Sequence, residues 1–66
     1  MKLYELINAF DNDVTFAITY KGETYKYVDG LELYDDYMFY DEIRDKVVTL
    51  IWHSRSLYNC LVIEIE

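Results

Sequence analysis

Apolar residues fall at Leu3, Leu6, Ile7 and Phe10, and this i, i+3, i+4, i+7 spacing predicts one stripe along a short helix over residues 3–10. Asp11-Asn12-Asp13 follows as a polar turn. The period then changes to two. Val14, Phe16, Ile18 and Tyr20 alternate with Thr15, Ala17 and Thr19, which is the pattern of a half-buried strand. Lys21-Gly22 reads as a two-residue hairpin turn, with the glycine supplying a positive φ. The return strand covers residues 23–28. With that loop Ile18 faces Tyr25 and Phe16 faces Tyr27, so the bulky side chains share one side of the sheet.

Asp29-Gly30 breaks the strand, and residues 35–46 read as a second helix. On its wheel Phe39, Tyr40, Ile43 and Val47 cluster, while Asp35, Asp41, Glu42 and Asp45 take the opposite arc. Asp35 or Asp36 is the expected N-cap, and Leu31–Tyr34 reads as either helix or extended chain. The run Val47–Trp52 predicts a third strand, His53-Ser54-Arg55-Ser56 a loop, and Leu57–Ile65 a fourth strand. A hairpin centred on Ser54-Arg55 pairs Trp52 with Leu57 and Val48 with Leu61. The expected fold is α+β, one domain over residues 1–66. Its order is α-β-β-α-β-β: a four-stranded antiparallel sheet with two short helices on one face. The expected core is Phe10, Phe16, Ile18, Ile43, Leu50, Trp52, Leu61 and Ile63. The other sheet face would hold Val47, Thr49, Ile51, Tyr58, Cys60 and Val62, beside Thr15, Ala17, Thr19 and Val28, and carry few charges. Such a face suits self-association or a partner.

Charge sharpens the picture. Thirteen acids against six bases give a net −7 and a pI near 4.4. Direct binding to nucleic acid or to an anionic membrane is disfavoured, because both carry the same sign. The charge is also localised. Between Asp29 and Asp45 lie seven acids and only one base, Arg44, so this segment alone holds −6. Carboxylates three or four apart on a helix stand about 5–6 Å apart at Cβ, comparable to the spacing of neighbouring phosphates along a nucleic-acid strand. Tyr34, Tyr37 and Tyr40 interleave with them, and aromatic faces suit stacking on arginine. The candidate partner-binding residues are therefore Asp29, Glu32, Tyr34, Asp35, Asp36, Tyr37, Asp41, Glu42 and Asp45. The plain alternative is a solvated face of an acidic domain.

Little else points to chemistry. One cysteine and one histidine cannot build a disulfide framework or a Cys/His zinc site in one chain. A lone cysteine fits a reducing, cytoplasmic compartment. Met1–Glu5 lacks the apolar run of a signal peptide, and no stretch reaches the length of a membrane span. Asp35-Asp36 and Asp41-Glu42 are sequence neighbours whose side chains diverge on a helix, so no metal site is expected. His53 with Ser54 and Ser56 reads as a surface loop, and Cys60 as a small packing residue. No catalytic residue and no cofactor is expected.

The opening Leu3-Tyr4-Glu5-Leu6-Ile7-Asn8-Ala9-Phe10, its polar turn and Val14-Thr15-Phe16-Ala17-Ile18 resemble the start of many short acidic proteins of bacteriophages and mobile elements. Some acidic anti-CRISPR inhibitors of Cas9 are similar in this opening, in size and in charge. The resemblance covers about the first third of the chain and carries over no functional residue. It implies a host-takeover or anti-defence protein that acts by binding: an inhibitor blocking a basic nucleic-acid-binding site on a host enzyme, in the host cytoplasm. The alternative is a homodimeric structural or regulatory interaction module joined through the open sheet face.

Overall fold

The computed structural model describes residues 1–66. Helix α1 spans Leu3–Ala9, with Leu3 and Ile7 buried and Leu6 and Phe10 packed beside them, which is the stripe the spacing predicts. The Glu5 carboxylate accepts from the Lys2 backbone N–H at 2.8 Å, which satisfies one free donor at the helix start. Strands β1 (Phe16–Tyr20) and β2 (Glu23–Tyr27) form the expected hairpin, with Phe16 against Tyr27 and Ile18 against Tyr25. Its turn has φ of 52° at Lys21 and 79° at Gly22, the left-handed pair that such a tight turn requires.

The single second helix of the sequence reading is two helices here, α2 (Gly30–Asp35) and α3 (Tyr37–Ile43), so three helices cover the sheet rather than two. Asp36, at φ −85° and ψ 57°, makes the break between them. Asp29 is the N-cap with a side-chain bond: its Oδ1 accepts from the Glu32 N–H at 2.9 Å. Leu31–Tyr34 is therefore helical. Strands β3 (Val48–Ser54) and β4 (Cys60–Ile65) complete the sheet.

The fold class is α+β. The sheet order is β2-β1-β4-β3. Both hairpins are antiparallel, but the central strands β1 and β4 run parallel, so the sheet is mixed rather than wholly antiparallel. Joining two hairpins through α2–α3 brings the first strand of one beside the last strand of the other, and their directions then agree. One row of the helix side reads Tyr25, Ile18, Ile63, Ile51 across the four strands. Leu3, Ile7, Leu33 and Ile43 from the three helices close over Phe16, Ile18, Tyr20, Tyr27, Ile63 and Ile65 to make the main core.

The second hairpin overturns its expected register. The loop between β3 and β4 is five residues, not two, and Ile51 faces Ile63 while Trp52 faces Val62. Ser54 Oγ accepts from the Tyr58 N–H at 3.1 Å, and Asn59 turns the chain at φ 54°. A shift between Val48 and Leu50 places an extra residue opposite Glu64. An odd offset moves a strand's side chains to the other face. Leu50 and Trp52, expected in the core, therefore lie on the open side and are 51% and 37% exposed. Phe16, Ile18, Ile43 and Ile63 are buried as expected, with Phe10 and Leu61 packed against them. On the open side Ala17, Cys60 and Val62 form a small buried cluster under Tyr58. That face is accordingly less open than the sequence suggests.

Candidate functional site

The acidic segment is displayed on α2, α3 and the turn after them. Leu33 is the buried residue of α2, and Ile43 that of α3. These anchors leave the opposite arc of each short helix to solvent. Phe39 packs at a tilt against Tyr25 of β2 with centroids 4.6 Å apart, and Tyr40 packs against the core, which orients α3.

The fold itself uses three of the nine candidate residues. Asp29 caps α2. Asp36 Oδ2 accepts from the Tyr27 hydroxyl at 3.1 Å. Tyr34 donates its hydroxyl to Asn8 Oδ1 at 3.3 Å and meets Tyr40 edge-on, 5.1 Å between centroids. The other six, Glu32, Asp35, Tyr37, Asp41, Glu42 and Asp45, have exposed side chains. Tyr37 and Asp41 stand four apart along α3, as do Met38 and Glu42, so each pair projects from one face. Tyr37 is 66% and Met38 75% exposed. Leu31 on α2 is also exposed. Met38 and Leu31 were missing from the sequence-derived set. The signal that could have found Met38 is its place on the wheel, one step off the Phe39–Ile43 stripe. The result is a surface of free carboxylates interleaved with exposed aromatic and apolar side chains.

Arg44, the one base of the segment, lies over the rings of Tyr4 and Tyr40 at 5.4 and 5.6 Å. Its charge is held against aromatic faces. Burial pushes the Tyr27 phenol well above its ordinary range, and the hydrogen bond to Asp36 adds to this. Burial, with the neighbouring Tyr34, raises Tyr40. The bond to the Glu23 carboxylate raises Tyr25 first, with partial desolvation second. All three phenols are neutral donors at physiological pH.

Other constellations do not converge. Cys60 and Ser54 are buried, while His53, Arg55 and Ser56 lie exposed around the second hairpin loop. An open depression of about 700 Å³ runs along Trp52–Leu57, and a smaller one of about 380 Å³ is lined by Tyr20, Lys21, Lys46, Ile65 and Glu66. No group of three or more His, Cys, Asp or Glu side chains is placed to hold a metal ion. No helix is long and apolar enough to cross a membrane. No protein-family model, curated protein or solved structure matches this chain.

Proposed function

We propose that this protein is a non-catalytic acidic binding protein that engages a basic surface on a partner through α2, α3 and the turn to Asp45. The observation that carries the reading is the display of Glu32, Asp35, Asp41, Glu42 and Asp45 as exposed carboxylates beside exposed Tyr37 and Met38. Solvation alone calls for charge; it does not call for a large aromatic and a methionine held out among the acids. Carboxylates supply Coulomb attraction and accept bidentate bonds from arginine. Tyr37 supplies a face on which a guanidinium stacks, and Met38 an adaptable apolar contact.

The partner of this chemistry is a protein whose own ligand is polyanionic, so the acidic surface occupies a nucleic-acid site by mimicry. A phage or mobile-element inhibitor of a host nucleic-acid enzyme fits that description. Concentrated negative charge steers association and makes it salt-sensitive. The test is reversal of Asp41, Glu42 and Asp45 to lysine, three exposed positions whose change takes the net charge from −7 to −1. The variant should melt as the parent does and lose partner binding and inhibition. Retention of both, with unchanged salt dependence, would return the surface to simple solvation.

A further inference from the structure

Strand β3 is the outer strand at its end of the sheet, with β4 on one side only. At its start the outer edge is taken: Val48 N–H donates to Met1 C=O at 2.8 Å, and Lys2 bridges Val47. From Thr49 to Ser54 the outer edge has no strand beside it. An open edge presents a row of backbone donors and acceptors, and proteins usually blunt it with lysine, proline or an inward charge. Here Val47–Ser54 carries no charged residue and no proline, in a chain that is otherwise rich in acids. Leu50, Ile51 and Trp52, the chain's single tryptophan, are exposed along it, Ile51 by 44%.

We propose that this edge pairs with the same edge of a second copy, joining two sheets into one eight-stranded sheet. The strand is its own complement. A two-fold axis normal to the sheet sets two β3 strands antiparallel and keeps the helices of both copies on one side. It pairs each residue with one on the same face of the sheet. Centred on Ile51, the axis sets Ile51 against Ile51 on the helix side. Leu50 of each copy then stands beside Trp52 of the other on the open side. Apolar side chains meet apolar ones at the three central steps, with Thr49 against His53 on either flank, and such apolar cross-strand pairs stabilise sheets. The acidic helix α2 packs by β2, at the opposite edge, so its charge is held away from the joint. Six strand residues are far fewer than the about 20–30 a side of a standard interface, so the dimer is weak and concentration-dependent.

The test is sedimentation and Trp52 fluorescence over a dilution series, at low and high salt. The mass should rise from 8.0 kDa toward twice that value with concentration. Trp52 emission should shift to the blue over the same range. Added salt should favour the dimer, because it screens two bodies of like charge. Ile51→Lys should stay monomeric and keep the parent's melting profile, since the side chain is exposed. Under mild oxidation Ile51→Cys should cross-link to its own copy, and Lys26→Cys on β2 should not; Cys60 is buried and does not compete. A monomer at millimolar concentration would overturn the proposal. So would a dimer that Ile51→Lys leaves intact, or cross-linking as efficient at residue 26 as at 51. The opposite salt response of partner binding keeps the failure of one idea separate from failure of the other.

Discussion

Trp52→Ala should cost this domain about 1–2 kcal/mol, although tryptophan is the largest side chain in the chain. Truncating a fully buried Trp or Phe costs about 3–5 kcal/mol, part of it from the cavity left behind. Trp52 sits on the open side of an edge strand, 37% exposed, so truncation leaves no enclosed void. Its Nε1–H donates to Glu64 Oε2 at 2.9 Å, an exposed bond at the low end of the usual net value of about 0.5–1.5 kcal/mol. Phe16 provides the contrast. It is fully buried between Tyr27 and Leu61 in the middle of the sheet, with the Phe10 and Tyr27 rings 5.7 and 5.9 Å away. Phe16→Ala should therefore incur the full about 3–5 kcal/mol. A chain of this length has a total stability of about 3–10 kcal/mol. Urea unfolding of dilute protein, followed by circular dichroism, separates the cases. The Trp52 variant should unfold cooperatively at a modestly lower midpoint, each kcal/mol being worth about 0.3–1 M urea at an m-value of about 1–3 kcal/mol/M. The Phe16 variant should be largely unfolded or nearly so. Equal losses for the two variants would refute the β3–β4 register described here.

Asp29→Ala removes the side-chain cap of α2 and should cost about 0.5–2 kcal/mol, while Asp29→Asn should be nearly silent, read by thermal melts. Tyr27 has its phenol pKa raised in the folded state, so its contribution is complete below the unfolded value of about 10 and is lost as pH rises above it toward the raised folded value. Unfolding midpoints should fall above about pH 10, and Tyr27→Phe should flatten that alkaline limb after losing about 0.5–1.5 kcal/mol at neutral pH with the bond to Asp36. At the first hairpin turn Lys21→Asn should hold or raise Tm, because asparagine tolerates the left-handed region better than lysine. Gly22→Ala should lower stability by about 1–2 kcal/mol through backbone strain alone, since the added methyl meets nothing within 4 Å.

What the sequence disclosed depended on how strict its local pattern was. The first hairpin alternates cleanly and carries Lys21-Gly22, so turn and register were both readable. The α1 stripe was readable for the same reason. The second hairpin has no alternation: Val47 to Trp52 is apolar at every step but Thr49, so parity is undetermined. Its loop length rested on Ser54-Arg55 alone, while the Ser54 hydroxyl and Asn59 in fact build a longer loop. The bulge beside Thr49 has no local signature either, and Thr49 Oγ1 bonding to the Glu64 carbonyl at 3.2 Å is visible only in three dimensions. Parallel pairing of β1 with β4 is likewise a consequence of the crossover rather than of either strand. At the acidic surface the carboxylates and Tyr37 were legible from charge and spacing. The commitment of Asp29 to a cap and Asp36 to Tyr27 was not, because each depends on where the helices break.

The proposed binding surface rests on the placement of charge on α2–α3, not on net charge. Two triple variants of equal net charge test it most directly. One reverses Asp41, Glu42 and Asp45 to lysine; the other reverses Asp11, Asp13 and Glu66, exposed acids outside the segment. Each is measured for affinity to a partner captured by the parent protein, across a salt series and against competing nucleic acid. The first variant should lose binding, while the second should keep it with a moderately slower association. Nucleic acid should displace the parent, and affinity should weaken as the Debye length falls from about 10 Å at 0.1 M to about 3 Å at 1 M salt. Equal loss in both variants, or binding indifferent to salt and to nucleic acid, would contradict it.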